Sequence, residues 1–259
     1  MKFYISILLL MFTSKSFFAQ NDSFSKEIFV SKTKDSLRYR LLTPEKVEKG
    51  KKYPLVLFLH GAGERGADNE SQLRNGGTLF SNPSNREKFP SFVLFPQCPP
   101  DFYWPIDKRP AEGFMDKNPF EKNAPISTQL KLVDELLTNF IKNNPIDENR
   151  IYIMGLSMGG MGTFDFVCRF PNRFAAAIPI CGGVNTSWLK DFRGKTKFRI
   201  YHGDIDSVVS VEFSREAYKA LKESGNDVEY IEFYGIGHNS WHPAFNMPDF
   251  LPWLYQIKK

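Results

Sequence analysis

Cysteine is scarce in this chain and unevenly placed. Only three of the 259 residues are cysteines, and none comes before Cys98. An odd number does not close a disulfide framework in an exported protein. On the elements predicted below, Cys98, Cys168 and Cys181 should also lie farther apart than the roughly 5–6 Å between Cα atoms that a bridge requires. We therefore expect three free thiols, and no lipid attached to an amino-terminal cysteine.

A strong charge of either sign is also missing. The formal net charge is +5, and the basic residues are scattered along the chain rather than clustered. Nucleic-acid binding normally leaves a patch or run of Lys and Arg. We therefore expect no nucleic-acid partner.

Histidine is limited to four residues, and their spacing does not suit a metal site. Only His238 and His242 stand four positions apart, the separation that would place two ligands on one face of a helix. Pro243 and the glycines before His238 argue against a helix there. No histidine is paired with a cysteine in the manner of a zinc site either. We predict that the protein needs no metal and no cofactor.

No apolar run reaches the length of about 20 residues that a membrane-spanning helix needs. The run at residues 3–12 is predominantly apolar but only ten residues long, and it lies between Lys2 and the small and polar residues that lead to Ala19. This is the form of a secretory signal peptide, although Phe17 stands where a small side chain is preferred. We predict a signal peptide over residues 1–19, the alternative being an amino-terminal strand or buried helix. The protein would then be secreted or periplasmic, without a stable membrane anchor.

Strand and helix patterns alternate through residues 20–259, which are enough for one large core. Residues 24–30 and 36–42 alternate in polarity around a polar turn and predict an antiparallel hairpin. The later strand candidates are continuous apolar runs, typical of strands buried on both faces, at residues 55–60, 91–96, 151–155, 174–180, 198–202 and 228–234. One helix pattern begins after Ser127, and three others occupy residues 158–169, 211–224 and 248–257.

This alternation predicts a single catalytic domain of the α/β class over residues 20–259. Its central sheet should be mostly parallel, with helices on both faces. Two connections, residues 69–88 and 99–125, are long, and the first is expected to hold a short helix. The segment between Cys181 and Lys197 is short, which leaves no room for a large cap domain.

The stretch from Gly155 to Gly159 reads Gly-Leu-Ser-Met-Gly and joins a strand pattern to a helix pattern. This is the sequence form of a nucleophile elbow, a strained turn that exposes a serine, here Ser157. Glycines on either side permit close approach of strand and helix. The N–H group of Met158, at the start of the helix, could face a developing oxyanion. The alternative is a glycine-rich tight turn without chemistry.

A serine hydroxyl needs a general base within hydrogen-bonding reach. His238 follows the last predicted strand, so it should lie at the same edge of the sheet as Ser157. We predict His238 as the base, with His242 as the second choice. The loop after the neighbouring strand offers two aspartates to orient it. We predict Asp206, which stands farther into that loop than Asp204, although either could instead cap the next helix.

A second oxyanion donor should come from the loop after the strand at residues 55–60, which reads His60-Gly61-Ala62-Gly63. Small residues let backbone N–H groups approach the reacting carbonyl. We predict the N–H group of Ala62 as the donor, with Gly63 as the next choice. His60 itself is expected to hold the loop backbone rather than to take part in catalysis.

Together these segments resemble the α/β-hydrolase superfamily, in which the triad follows the chain order serine, aspartate, histidine. Within it the chain is similar to secreted esterases grouped with feruloyl esterases and poly(3-hydroxybutyrate) depolymerases, and to the dienelactone-hydrolase and phospholipase/carboxylesterase families. The segment at residues 96–100, followed by Trp104, is similar to one found in esterases described as predicted peptidases. The resemblance implies a cofactor-free serine esterase that forms an acyl-enzyme. Its substrates would be small-molecule or polysaccharide-linked esters, such as feruloyl, acetyl or short acyl esters.

Large aromatic residues are candidates for substrate binding. Trp104 in the long 99–125 connection, together with Trp188 and Trp241, could form a platform for an aromatic acyl group or a sugar ring. Gln97 could line the same pocket. Ordinary packing of a long loop is the alternative.

Two other functions fit parts of this pattern. A secreted serine peptidase of the prolyl-oligopeptidase type would share the triad, but this chain lacks the additional propeller domain of those enzymes. A non-catalytic carbohydrate-binding protein on a decayed hydrolase scaffold is the other. The intact serine, acid and base argue against decay.

Overall fold

An eight-stranded sheet forms the centre of the computed structural model, which describes residues 23–107, 122 and 124–259. The strands in chain order are β1 (Ser25–Val30), β2 (Ser36–Leu42), β3 (Tyr53–Leu59), β4 (Phe92–Pro96), β5 (Ile146–Leu156), β6 (Ala176–Ile180), β7 (Lys197–Gly203) and β8 (Val228–Phe233). Their order across the sheet is β1-β2-β4-β3-β5-β6-β7-β8. Since β5 lies near the middle of this order, the turn that follows it opens at the centre of one sheet edge.

Most of the sheet is parallel. β2 pairs antiparallel with β1 and with β4, whereas the strands from β4 across to β8 pair parallel with their neighbours. Every residue of β3, β4 and β6 is buried, as expected for strands covered on both faces. Because parallel strands end at the same edge, the loops after β3, β5, β7 and β8 open together there.

Helices cover both faces of the sheet. They are α1 (Gly77–Ser81), α2 (Pro83–Lys88), α3 (Thr128–Asn143), α4 (Met158–Arg169), α5 (Thr186–Lys190), α6 (Glu212–Glu223), α7 (Trp241–Phe245) and α8 (Phe250–Gln256). Alternate residues of β3 point to opposite faces: Leu55 and Leu57 pack with residues of α3, α4 and α6, whereas Val56 and Phe58 pack with residues of α1 and α8. The predicted α/β fold, with its mostly parallel sheet, is confirmed, and no large cap domain is evident in the described part of the chain.

Two features differ from the expected elements. β5 begins at Ile146, five residues before the predicted strand, because its first part extends into a less buried segment that lacks the apolar pattern. The helices α5 and α7 were not expected, since five residues carry too little periodicity to be recognised. Neither difference moves the edge at which the loops meet.

All three cysteines lie within the described residues and are free thiols, which confirms the expectation. The predicted signal peptide at residues 1–19 falls outside the described residues, as does most of the second half of the 99–125 connection. Within the described ranges, no helix combines the length and the apolar character needed to cross a membrane.

Candidate active site

The turn at the end of β5 presents Ser157 at the carboxyl edge of the sheet. Its backbone φ is 53° and ψ is −118°, and α4 begins at the next residue, Met158. The N–H group of Ser157 donates to the carbonyl of Ile180 at the end of β6, over 2.9 Å. A positive φ at a residue other than glycine is a strained conformation. The turn therefore has the geometry of a nucleophile elbow.

Two glycines make room for this turn. A Cβ on Gly155 would lie 2.4 Å from the carbonyl oxygen of Gly159, and a Cβ on Gly159 would lie 1.9 Å from the carbonyl oxygen of Leu59. Neither position accepts a side chain unless backbone moves, because both separations are far below van der Waals contact. The glycine spacing around Ser157 is therefore a steric requirement of the point where β3, β5 and α4 converge.

The imidazole of His238 lies between Ser157 and Asp206. Its Nε2 atom is 2.9 Å from the Ser157 Oγ, and its Nδ1 atom is 2.7 Å from the Asp206 Oδ2. An ionised carboxylate can only accept, so Nδ1 carries the proton and donates it, which leaves Nε2 to accept from the hydroxyl. The structure thus brings these three sequence-predicted residues together, in the arrangement needed for nucleophile, base and orienting acid.

Residues 234–240, the histidine loop, are hydrogen-bonded to residues 204–211, the aspartate loop. The N–H group of Gly235 donates to the Asp204 Oδ1 over 2.6 Å, and that of Ile205 donates to the Ile236 carbonyl over 3.2 Å. A Cβ on Gly203 would lie 2.1 Å from the same Ile236 carbonyl oxygen, so the two loops are in close contact. Asp204, the second choice for the acid, bonds this loop backbone rather than His238.

Asp206 has a fully buried side chain surrounded by four donors. Its Oδ1 accepts from the N–H groups of Val208 and Val209, at 2.8 and 2.9 Å. Its Oδ2 accepts from His238 and also lies 3.2 Å from the Nε2 of His202. Burial alone would raise the pKa of the Asp206 carboxyl, but these hydrogen bonds hold it well below the ordinary value. The carboxylate is therefore ionised at neutral pH.

His202 is the member of this cluster that sequence reasoning missed. It is the penultimate residue of β7, is fully buried, and has its Nδ1 atom 2.6 Å from the Oγ of Ser214 in α6. A signal was available, because a histidine at the end of a buried strand must find partners for both ring nitrogens. Asp206, four residues later and already chosen as the acid, was the nearest candidate.

The loop after β3 runs beside the serine turn. Ala62 begins a short helical turn, Ala62–Glu64. A Cβ on the preceding Gly61 would lie 2.8 Å from the Leu156 side chain, so the loop packs on the residue just before Ser157. The N–H group of Met158 belongs to the first turn of α4, where no acceptor within the helix is available. The two predicted oxyanion donors therefore lie on adjoining segments.

The buried ring of His60 is hydrogen-bonded to the backbone of this loop and of the segment after β4. Its Nδ1 donates to the Gly61 carbonyl over 2.7 Å, and its Nε2 accepts from the N–H group of Cys98 over 3.0 Å. Burial lowers the pKa of the imidazole to about 4, so it is neutral at pH 7. Both ring nitrogens are used in holding backbone, in agreement with the expected structural role.

Trp104 and Gln97 do not line the site, so their predicted substrate contacts are wrong. Trp104 is fully buried, and its indole N–H donates to the His60 carbonyl over 3.0 Å. Gln97 is also buried, with its amide bonded to the Asp68 carboxylate at 2.6 Å and to the Asn69 N–H group at 2.8 Å. Each side chain points into the protein and supports the loop after β3.

The remaining tryptophans lie in different places. Trp188 stacks with the guanidinium of Arg169, 4.9 Å from the ring centre. Arg169 ends α4 and Met158 begins it, a separation of roughly 16 Å along a helix, so the observed contact of Trp188 is with the other end of that helix, and its role in substrate binding stays a prediction. Trp241 is half-buried and edge-on to the His238 ring, with the centroids 5.6 Å apart. Trp241 is thus placed at the site.

Among the described residues, one group of side chains has donor atoms close enough together to hold a metal ion. These are Cys181, Asp206 and His238, whose ligand atoms lie within 4.8 Å of one another. Asp206 and His238 already bond to each other, and burial raises the pKa of the Cys181 thiol to about 12. The Nδ1 atom of His238 carries the proton of that bond, and a protonated nitrogen has no lone pair for a metal. The arrangement fits a thiol packed beneath the serine, histidine and aspartate better than a metal centre.

Comparison of the sequence with known proteins identifies esterases and thioesterases. The profile of the phospholipase/carboxylesterase family matches residues 45–251. Carboxylesterase SOBER1 of Arabidopsis thaliana is 28% identical over 204 residues, which are 71% of this chain and 82% of that protein. Acyl-protein thioesterase 1 homolog 1 of Dictyostelium discoideum is 24% identical over 195 residues, which are 71% of this chain and 83% of that protein.

Comparison of the fold with solved structures gives the same class. A thermostable esterase superposes with a TM-score of 0.81 and 36% identity over 93% of this chain. The match covers 64% of that esterase, so this chain spans less than two thirds of its length. A ferulic acid esterase, at 18% identity, shares the fold with a TM-score of 0.67 over 90% of this chain and 98% of its own.

Proposed function

Because the chain belongs to the phospholipase/carboxylesterase family and is a carboxylic ester hydrolase of the α/β-hydrolase fold, we propose that it works through an acyl-enzyme on Ser157. One observation carries this proposal: the unbroken pair of hydrogen bonds from Ser157 through His238 to Asp206, 2.9 and 2.7 Å long. Such a pair is the usual means of activating a hydroxyl that is otherwise a weak nucleophile.

The proposed reaction has two halves. The Ser157 Oγ attacks the ester carbonyl while Nε2 of His238 takes its proton, and the resulting imidazolium is stabilised by the Asp206 carboxylate. His238 then gives that proton to the departing alcohol, which leaves the acyl group on Ser157. In the second half, water attacks the acyl-enzyme while His238 takes its proton. His238 then returns that proton to the Ser157 Oγ as the bond to the acyl carbon breaks and the carboxylic acid departs.

The negative charge of each tetrahedral intermediate needs donors in fixed positions. We assign this role to the backbone N–H groups of Met158 and Ala62, with Gly63 as the alternative to Ala62. Support comes from the contact between the loop that carries Ala62 and the turn that carries Ser157, seen at Gly61 and Leu156. The positive end of α4 adds to the field at Met158.

We propose carboxylic esters with short or aromatic acyl groups as substrates, including feruloyl or acetyl groups on plant polysaccharide. Exposed apolar side chains stand around the histidine and aspartate loops: Ile205 and Val208 in one, and Tyr234 at the start of the other. Trp241 lies edge-on to His238. Apolar surface beside a reactive group favours an apolar or aryl substituent on the substrate.

A substrate panel tests the proposal. Methyl ferulate, acetylated xylan, p-nitrophenyl acetate and an aminoacyl p-nitroanilide are assayed with the wild type, with Ser157→Ala and with Ser207→Ala, which changes an exposed serine of the aspartate loop. We expect Ser157→Ala to lose at least about 10³-fold in ester hydrolysis and Ser207→Ala to match the wild type. Ester hydrolysis retained by Ser157→Ala would refute the assignment.

The same panel separates the alternative functions. Faster cleavage of the anilide than of the esters would favour a peptidase. A folded wild-type protein that a fluorophosphonate probe does not label at Ser157 would favour a binding protein on a hydrolase scaffold.

We further propose that the protein is exported, on the support of the pattern in residues 1–19. Expression of the full chain in a bacterial host, followed by cell fractionation and amino-terminal sequencing, tests this. We expect a mature protein outside the cytoplasm that begins at Gln20. A cytoplasmic product that retains Met1 contradicts the proposal.

A further inference from the structure

A second histidine, His202, lies against the aspartate of the candidate site. His202 shares with Phe198 and Ile200 the face of β7 that packs toward α6, and both its side chain and that of Asp206 are fully buried. Its Nε2 atom approaches the same carboxylate oxygen, Oδ2, that accepts from His238. It touches none of the reacting atoms.

The partners of His202 define where its proton resides. Nε2 lies 3.0 Å from the Val209 carbonyl and 3.2 Å from the Asp206 Oδ2. Both of these oxygens only accept, so Nε2 must carry a hydrogen. Nδ1 lies 2.6 Å from the Ser214 Oγ, and a hydroxyl can donate to it. A neutral imidazole with its proton on Nε2 therefore satisfies every partner around the ring.

We propose that His202, held by Ser214, is a positioning residue for the esterase reaction. Its Nε2–H group orients Asp206 and takes a share of the carboxylate charge that would otherwise be felt by His238. The inference rests on the proposed roles of Ser157, His238 and Asp206, and goes beyond them by extending the hydrogen-bonded chain through a fourth and a fifth side chain.

A charge argument predicts the sign of the effect. Oδ2 of Asp206 accepts from His238 and lies 3.2 Å from the Nε2–H group of His202, whose hydrogen is shared with the Val209 carbonyl. Each N–H group near this oxygen reduces the negative charge that the other experiences. Without the His202 donor, more of that charge faces His238, and the imidazolium of His238 is stabilised. His238 then holds its proton to a higher pH, and the base needed for attack is depleted there.

The other titratable groups near His202 and Asp206 keep their charge over the pH range of the test. Glu232 of β8 stands opposite His202 in the strand pairing, and its hydrogen bond from Arg215 of α6 keeps its pKa below the ordinary value. The Cys181 thiol beneath Asp206 has its pKa raised to about 12 by burial. Neither changes charge between pH 5 and pH 8.

A matched pair of substitutions provides the test. A Gln side chain can place an amide N–H near the position of Nε2, whereas the shorter Asn reaches only the position of Nδ1. His202→Gln thus retains a donor for Asp206, and His202→Asn retains only the contact with Ser214. Asn226→Ala, at a position in the loop between α6 and β8, serves as the control.

The readout is the pH dependence of kcat/KM for p-nitrophenyl acetate. For His202→Asn we expect the acid limb to move upward by about half a unit to one unit. We expect kcat to fall about tenfold, because the carboxylate that orients His238 loses one of the groups that fix its position. His202→Gln should restore the wild-type limb and most of kcat, and Asn226→Ala should change neither. An acid limb that stays in place in His202→Asn overturns the proposal, even if kcat falls, because a purely structural defect lowers activity without moving it.

A second measurement does not depend on the folding of any variant. Nitrogen-15 NMR of the wild-type protein, labelled at histidine, reports which ring nitrogen carries the proton. We expect the Nε2–H form of His202 at pH 7, and the Nδ1–H form overturns the proposal. Failure of the underlying mechanism is seen separately, because it would appear as hydrolysis retained by Ser157→Ala.

Discussion

Two of the four described non-glycine residues with a positive φ lie beside each other at the edge of the sheet. Ser157 has a φ of 53° and Cys181, which directly follows β6, has a φ of 40°. Such conformations cost of order 1–3 kcal/mol each for residues other than glycine. They persist here because the neighbouring strands are paired and buried. The serine hydroxyl is therefore held in place by packing that the small residues around it make possible.

The steric argument for Gly159 predicts a large effect of a single methyl group. Gly159→Ala should destabilise the fold by several kcal/mol, because its Cβ would lie 1.9 Å from the Leu59 carbonyl oxygen. Gly63→Ala is the matched control, since a Cβ there meets nothing within 4 Å, and should stay within about 0.5 kcal/mol. Urea denaturation of both variants measures the difference. Equal stabilities would mean that the backbone at Gly159 yields easily.

The two aspartates of one loop allow a second matched comparison. Asp206→Asn should lower kcat by about 10³–10⁴-fold, because an amide in place of the carboxylate no longer stabilises the imidazolium of His238. Asp204→Asn should stay within about threefold of the wild type, since the amide oxygen can still accept from Gly235. Steady-state kinetics with p-nitrophenyl acetate measures both. A larger loss in Asp204→Asn would reverse the assignment of the acid.

At the scale of secondary structure, the meeting of the three loops could be predicted from the sequence. Parallel strands end at one edge, and the patterns before Ser157, Asp206 and His238 each indicated such a strand. The glycines near these residues marked turns tight enough to bring the side chains together. What could be predicted was therefore the topology and the residues at the ends of its strands.

The aromatic residues could not be placed in the same way. A large ring in a long loop can turn inward to fill the core or outward to meet a ligand, and composition does not distinguish the two. Trp104 points into the core, where its indole N–H group donates to the His60 carbonyl. Trp188 lies on a five-residue helix, α5, whose position is set by its contacts with α6 and with Arg169. The orientation of each tryptophan side chain therefore depends on residues that are distant from it in the sequence.

One of these inward contacts is coupled to the start of α3. The Ser127 hydroxyl accepts from the Leu130 N–H group over 3.1 Å, as an N-cap does, and also donates to the Trp104 carbonyl. Ser127→Ala should therefore cost about 1–2 kcal/mol of folding free energy. Thr128→Ala, at the exposed neighbouring position, should cost less than half as much. Thermal and urea denaturation measure both, and equal losses would show that the cap contributes nothing beyond local helix propensity.

For the molecule as a whole, buried ionisable groups make stability depend on pH. The pKa of Asp206 is lowered in the folded state by its hydrogen bonds, despite its burial. Its contribution is therefore complete above the unfolded pKa of about 3.9 and is lost as pH falls below that value. His60 changes the stability over a separate and higher pH range. Burial lowers its folded pKa to about 4, whereas the unfolded value is about 6.5.

The contribution of His60 is complete above about pH 6.5 and disappears as pH falls toward 4, because the unfolded chain takes up the proton that the folded chain refuses. Over the full range this amounts to ~3 kcal/mol. We expect the free energy of unfolding of the wild type to fall between pH 7 and pH 4.5. The free energy of unfolding of His60→Gln should fall by about 2 kcal/mol less over the same interval. Gln keeps an acceptor for the Cys98 N–H group but does not titrate. His242→Gln, at an exposed histidine, should show the wild-type pH dependence. If urea denaturation gives His60→Gln and the wild type the same loss between these two pH values, then the His60 imidazole must accept its proton inside the folded protein, and the loop after β3 must open to admit water as it does so.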